Sequence, residues 1–336
     1  MSFKRLMIFF IVLYSTLFIY SISFANKYKM EFIFINDINA SMIWMPIPKY
    51  WDGHGVSNVN ATNISPMPEE QYVDPNSGTK IAYWSDAQSH KTFCIAFDIF
   101  LSKIDHTIKI SEYKIKYNKN SLLYKKYTQT TPWIQTNNDL IINKSKSIVK
   151  NLIDPYQKAK SIFNWIIKQD WQQLTKNDYE DALSVLKTKR TACGGKANLF
   201  VALCRASGIP ARSISGFHPF SDTFPESGSL QAFFDLGSHT WAEFYLSDYG
   251  WVQCEPGHHD GFGKINQERI ITSKGNNIKL GNGYNPEPND HNHINSIRSH
   301  FHLPCTPWQH SITLNTKLES DNQYIIPEVF MLLLDQ

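Results

Sequence analysis

The chain has 336 residues, with 33 Lys and Arg against 30 Asp and Glu and a formal net charge of +3. A balance this even gives no electrostatic footprint for nucleic acid or for an acidic partner. The length allows one or two domains with a sizeable core, and five cysteines are far too few for a disulfide scaffold.

Residues 1–25 have the layout of an export signal. Lys4 and Arg5 form a basic start, Leu6 to Tyr20 carry no charge, and Ser23-Phe-Ala25 is a small-x-small cleavage site. Cleavage after Ala25 would release the chain to the periplasm or the medium. If it were retained, residues 6–25 would anchor the chain and provide its membrane contact. The odd cysteine count of an exported chain suggests one free thiol. Cys193 is the candidate, and Cys94, Cys254 and Cys305 remain available for a disulfide.

Residues 26–120 read as a β-rich, sandwich-like domain. Strand-like runs cover Met30 to Ile35, Ser41 to Met45, Lys80 to Trp84, Thr92 to Phe97 and Ile108 to Ile115, and prolines at 46, 48, 66, 68 and 75 punctuate the loops. A structural role is the plain reading of this module, with substrate docking as the alternative. Residues 121–150 are polar and rich in Asn, Lys and Thr, and read as a connector. A second domain is expected over 151–285, followed by an extension, 286–336, that packs on it.

Within that second domain, Asp154-Pro155 opens a helix with an apolar stripe at Ala159, Ile162, Phe163, Ile166 and Ile167. A shorter helix spans Asp181 to Leu186. Cys193 then begins a helical pattern that ends at Gly208 with Pro210 beyond. A cysteine at a helix N-terminus faces free N–H groups and the positive end of the dipole, which favour a thiolate. Gly194 and Gly195 beside it would let a substrate backbone come close. Strands follow at Ala211 to Phe217 and Gly237 to Leu246. The second alternates, with His239, Trp241, Glu243 and Tyr245 on one face. Ser247 to Gly250 is a turn, and Trp251 to Pro256 is the return strand.

A cysteine nucleophile needs a base, and the base needs an orienting group. His239 is the candidate base. Glu255, on the neighbouring strand, is the candidate that fixes the imidazole tautomer, provided the register puts both on one face. Arg205 and Arg212 read as structural, and Trp241 and Trp251 as packing or cleft walls. His258, His259 and Asp260, with His291 and His293, match no metal-ligand spacing, and no acidic loop has calcium spacing. No metal or cofactor is therefore expected.

Cys193, Ala197, Leu199 to Arg205, Gly208-Ile-Pro-Ala-Arg212, Gly216, the His239-x-Trp-x-Glu-x-Tyr run and Gly250-Trp251 with Glu255-Pro256 together resemble the transglutaminase-like superfamily. The resemblance covers about residues 155–285, including Phe262-Gly263, Arg269-Ile270 and Ser273-Lys-Gly275. It implies an α+β fold with a papain-like, transglutaminase-like core, in which a helix-borne cysteine packs on an antiparallel sheet. It also implies Cys193 as nucleophile, His239 as base and Glu255 as third member. The family usually has Asp at that third position, so Glu255 is a departure, and Asp235 and Asp260 are the weaker substitutes. The Cys193 backbone N–H, assisted by Trp171 or Gln172, would form the oxyanion hole. The function implied is cleavage or transfer of an amide or peptide acyl group through a thioester, with a peptide or protein as substrate. Hydrolysis is favoured over cross-linking, and a non-catalytic binding module is the remaining alternative.

Overall fold

The computed structural model describes residues 26–35, 43–51, 59–90, 92–101, 104–105, 116–173, 175, 178–219, 236–265, 269–275, 278, 312–317, 319–320 and 323–324. The export-signal segment, the strand expected at 108–115, Asp235 and Cys305 lie outside them. Among the described residues no helix is long and apolar enough to cross a membrane.

The N-terminal part builds two antiparallel sheets. One joins β1 (Asn26–Ile35), β3 (Val59–Ser65) and β6 (Thr92–Leu101), with β6 central and β1 flanked on its far side by β13 (Ile312–Lys317). The other joins β2 (Ile43–Ile47), β5 (Lys80–Trp84) and β4 (Glu70–Val73), with β5 central. β3 and β4 are absent from the pattern-based expectation. The polar run Val-Asn-Ala-Thr-Asn-Ile-Ser of β3 lacks a clear alternation, and a register shift falls between Ala61 and Asn63. β4 is a short, mostly exposed edge. The described part of the C-terminal extension also differs from expectation. β13 pairs with β1, so it completes the N-terminal sheet.

The segment expected to be a connector instead carries two helices, α1 (Leu122–Thr128) and α2 (Asp139–Val149). Ser121 and Asn138 cap them through side-chain oxygens that accept from Tyr124 and Leu140 N–H. The polar composition hid a stripe at spacing four, Ile141, Ser145 and Val149, which is buried. The expected helix from Pro155 is present as α3 (Pro155–Ile167), with Asp154 accepting from Gln157 N–H. The shorter helix is α4 (Ala182–Thr188), capped by Asp181.

The fold is α+β, and its centre is α5 (Cys193–Ala206), buried along almost its whole length. α2, α3 and α4 all pack against α5. Beneath α5 lies an antiparallel sheet ordered β10-β9-β8-β12, formed by β8 (Ala211–Pro219), β9 (Leu236–Leu246), β10 (Gly250–Cys254) and β12 (Ile270–Lys274). Ala242, Phe244 and Leu246 of β9 join Leu199, Phe200 and Leu203 of α5 in one core. Such apolar burial is the main favourable term in the fold.

The other face of this sheet is covered from the N-terminal part. Trp51, just after β2, is 6% exposed and packs with Ile214, Trp241, Ile265 and Ile271. Its indole Nε1–H donates to the Ile271 carbonyl at 3.2 Å. The strand β7 (Ile104–Asp105) also pairs with β11 (Lys264–Ile265). Glu243 is buried between Arg212 and Lys274, and Arg212 also lies over the Tyr127 and Trp251 rings. Arg205 donates to the carbonyls of Ala211 and Gln129. Both arginines are therefore structural ties between segments.

Replacing Trp51 with alanine removes that cover and its hydrogen bond. The expected loss is about 3–5 kcal/mol of stability, read by denaturant unfolding. A loss within 0.5 kcal/mol, the usual range for a surface substitution, would contradict the docking described here.

Candidate active site

The N-terminus of α5 is held by a carboxylate from outside the helix. Its N-cap, Ala192, has no capping side chain. Glu180, just before α4, supplies one: Oε1 accepts from Ala192 N–H at 3.0 Å and Gly195 N–H at 2.9 Å. The Glu180 carbonyl accepts from Asn198 Nδ2 at 2.8 Å, and Asn198 Oδ1 in turn accepts from Ser213 on β8. The approach to the helix is fixed as well. Gln172 brackets Arg190 in a parallel bridge, donating to Lys189 O and accepting from Thr191 N–H.

The two glycines after Cys193 serve this packing and do not give a substrate access. Both are buried. A Cβ at Gly195 would collide with Thr191 Oγ1 and lie 2.6 Å from Val185 Cγ2. One at Gly194 would lie 2.9 Å from Glu180 Oε2. Cys193 itself is partly exposed.

His239 stands on β9 and is 8% exposed. β9 and β10 pair with Ala242 opposite Cys254, and continuing the register by one residue sets Glu255 opposite Trp241. Glu255 is therefore on the face that His239 and Trp241 share, one diagonal step from His239. The contact is made: His239 Nε2 and Glu255 Oε2 are 2.6 Å apart. The other side of the imidazole is left for the Cys193 sulfur, to which His239 is hydrogen-bonded. The three candidate residues thus meet in the order cysteine, histidine, acid.

Glu255 is 2% exposed and anchored at both oxygens. Oε1 accepts from Gly257 N–H at 3.1 Å, and Oε2 also accepts from Arg269 at 2.8 Å. Its backbone is gripped by the turn that follows, with Glu255 N–H donating to Gly261 O at 2.7 Å. Burial alone would push the Glu255 carboxyl up, but His239 and Arg269 outweigh it and hold it well below the usual carboxylate range. Burial likewise pulls His239 down, but the Glu255 carboxylate and the Cys193 sulfur outweigh it and hold His239 up at about 9.

Between His239 and Arg269 lies Gly216. It pairs with His239 on β9 and with Ile271 on β12. A Cβ there would strike the Ile270 carbonyl, lying 2.9 Å from its carbon.

Asp260, the described substitute for the acid, is exposed. The Trp171 indole N–H is occupied by Ile166 O at 2.9 Å, which removes it as an oxyanion donor. Gln172 is exposed, and its bridge to Arg190 lies three residues before Cys193, so its amide remains the side-chain candidate. Arg269 carries part of the sequence resemblance, which assigns it no part in the site. It is far from Glu255 in the chain's strand pattern, and only the β8–β12 pairing brings it there. Among the described residues, no group of three or more His, Cys, Asp or Glu is arranged to hold a metal ion.

Residues 142–256 match the family model of the transglutaminase-like superfamily, a span that contains all three candidate residues. The segment is a transglutaminase-like core. The chain is 23% identical over 212 residues to the uncharacterized protein YebA of Bacillus subtilis, covering 59% of this chain and 26% of that protein. It is 32% identical over 146 residues to an uncharacterized protein of Haemophilus influenzae, covering 38% of each. The chain thus spans between a quarter and two-fifths of these curated relatives. A solved structure from Cytophaga hutchinsonii aligns over 75% of this chain and 82% of its own, at 15% identity and a TM-score of 0.45. Within the transglutaminase-like core, α5, the sheet beneath it and the turn after β10 position every side chain of the site.

Two outcomes are expected. Gly195→Ala forces a methyl group into the contact between α4 and α5, and should cost about 1–3 kcal/mol in denaturant unfolding. His239 is raised above its ordinary 6.5, so its imidazolium contributes stability that is fully present below 6.5 and lost as pH rises through about 9. Unfolding of wild type and His239→Gln between pH 6 and 10 should show a fall in wild-type stability that the variant lacks.

Proposed function

We propose that this chain is an exported cysteine-dependent amide hydrolase, a peptidase or amidase acting on a peptide or protein. The observation that carries the reading is the buried relay in which Glu255 holds His239 at 2.6 Å and His239 is hydrogen-bonded to Cys193. In this reading Cys193 is the nucleophile, His239 the general acid and base, and Glu255 the orienting carboxylate.

The Cys193 thiolate attacks the substrate carbonyl carbon, forming a C–S bond and an oxyanion. Glu180 occupies the N–H groups of Ala192 and Gly195; the Cys193 N–H is the candidate oxyanion donor, with the Gln172 amide as candidate second donor. Collapse expels the amine, which takes a proton from the His239 imidazolium, and a thioester remains. Water then gives a proton to His239 and adds to the thioester. The C–S bond breaks, releasing the acid and restoring the thiolate–imidazolium pair. Glu255, locked by its two-sided anchoring, keeps the ring from rotating between the two halves of the cycle. A primary amine in place of water would give cross-linking.

Export rests on residues 1–25, read as a cleaved signal, with an uncleaved anchor at 6–25 as the competing arrangement. No metal, cofactor or nucleic acid enters the scheme.

Iodoacetamide alkylation of Cys193, followed by mass spectrometry against pH, tests the pair directly. Labelling should be rapid near pH 6, well below the ordinary thiol value of about 8.5, and should drop at least about tenfold in His239→Ala. Labelling that rises only near the ordinary thiol value and ignores the substitution would sink the catalytic reading and leave a binding module. Peptide turnover with and without added primary amine then separates hydrolysis from cross-linking.

A further inference from the structure

Arg269 is the buried group of this site for which the relay has no assigned use. Its side chain is 3% exposed, and its NH1 donates to Glu255 Oε2, the same oxygen that faces His239 Nε2. The guanidinium lies 4.7 Å from the Trp241 ring centroid, and Trp241 stacks near-parallel to His239, with centroids 6.2 Å apart and planes at 17°. Arg269 Nε is buried with no hydrogen-bond partner. A cation taken out of water and left with an unused donor is costly. Its compensation here is the carboxylate of the relay.

A glutamate has three side-chain torsions to fix, and a buried carboxylate between two cations cannot serve both alike. Oε1 is spent on Gly257 N–H, so Arg269 and His239 divide Oε2. Among the described residues, the charged and titratable groups placed at the imidazole include Cys193 from α5, Glu255 from the turn after β10 and Arg269 just before β12. The buried Cys254 thiol lies on β10.

We propose that Arg269 is a positioning residue that fixes the Glu255 carboxylate and limits how strongly it holds the proton on His239, setting the pH range of the relay. The proposal rests on the reading of the relay as catalytic, but its physical content does not need turnover. Removing the cation leaves the Glu255 charge less compensated. That charge then favours the imidazolium further, and the general acid gives up its proton less readily.

The test is the His239 titration followed by NMR in a Cys193→Ala background, comparing Arg269, Arg269→Gln and Arg269→Lys. Arg269→Gln should move the His239 midpoint upward by about one unit, with Arg269→Lys returning most of the way. Equal midpoints in the three proteins would overturn the proposal. Failure of both variants to fold would also overturn it, making Arg269 a structural anchor. Alkylation of Cys193 in otherwise wild-type protein distinguishes the two readings. A wild-type thiol reactive at pH 6 with no Arg269 effect on His239 removes only the positioning role. An Arg269 effect on His239 with an unreactive thiol removes only the hydrolase.

Discussion

A carboxylate buried to 2% exposure must be satisfied by its surroundings or lose its charge, and Glu255 imposes that demand on this fold. Its partners come from three separate places: His239 on β9, Arg269 at the start of β12 and the Gly257 N–H in its own turn. None of the three is adjacent to another in sequence. The antiparallel order β10-β9-β8-β12 brings them together, and the turn to Gly261 closes around Glu255 so tightly that a Cβ at 261 would lie 2.5 Å from the Glu255 Cβ. The ion pairs are offset by burial, so their value is more in fixing geometry than in net stability.

The cysteine side of the site obeys a different constraint. α5 is enclosed, so its first turn must meet α4 and the approach strand at close range. Glycine at 194 and 195 is the steric answer, and Glu180 is the polar one, since a helix end that enters a core cannot leave its N–H groups bare. The result is a rigid pedestal for Cys193, with one of its neighbours' donors on each side already engaged.

The sequence patterns exposed the half of the chain that holds the candidate site far better than the N-terminal half. The alternation of β9 separated His239 and Trp241 from Ala242 and Phe244, and the two clusters on opposite faces of the sheet follow that division. Cys193 at a helix start was legible from the helical pattern that begins there and closes at Gly208 and Pro210. The bridge from His239 to Glu255 was legible only as a possibility, because one residue of register decides it. The helices at 122–149 were hidden by lysine and asparagine on their outer faces, and β3 by a shift in its ladder. Arg269 and Glu180 could not be assigned from pattern at all. Each acts on a residue more than ten positions away, through a contact made by folding.

Gly216 carries a consequence for the evolution and screening of this protein. It has no side chain and touches no candidate reacting atom, yet it is the spacer between the strand of His239 and the strand that delivers Arg269. A substitution there would lift β12 away from β8 and loosen both ends of the relay together. In a mutational survey scored by the reactivity of the site, such a position would rank with Cys193, although the lesion is one of spacing. A survey scored by abundance alone would separate the two kinds of loss.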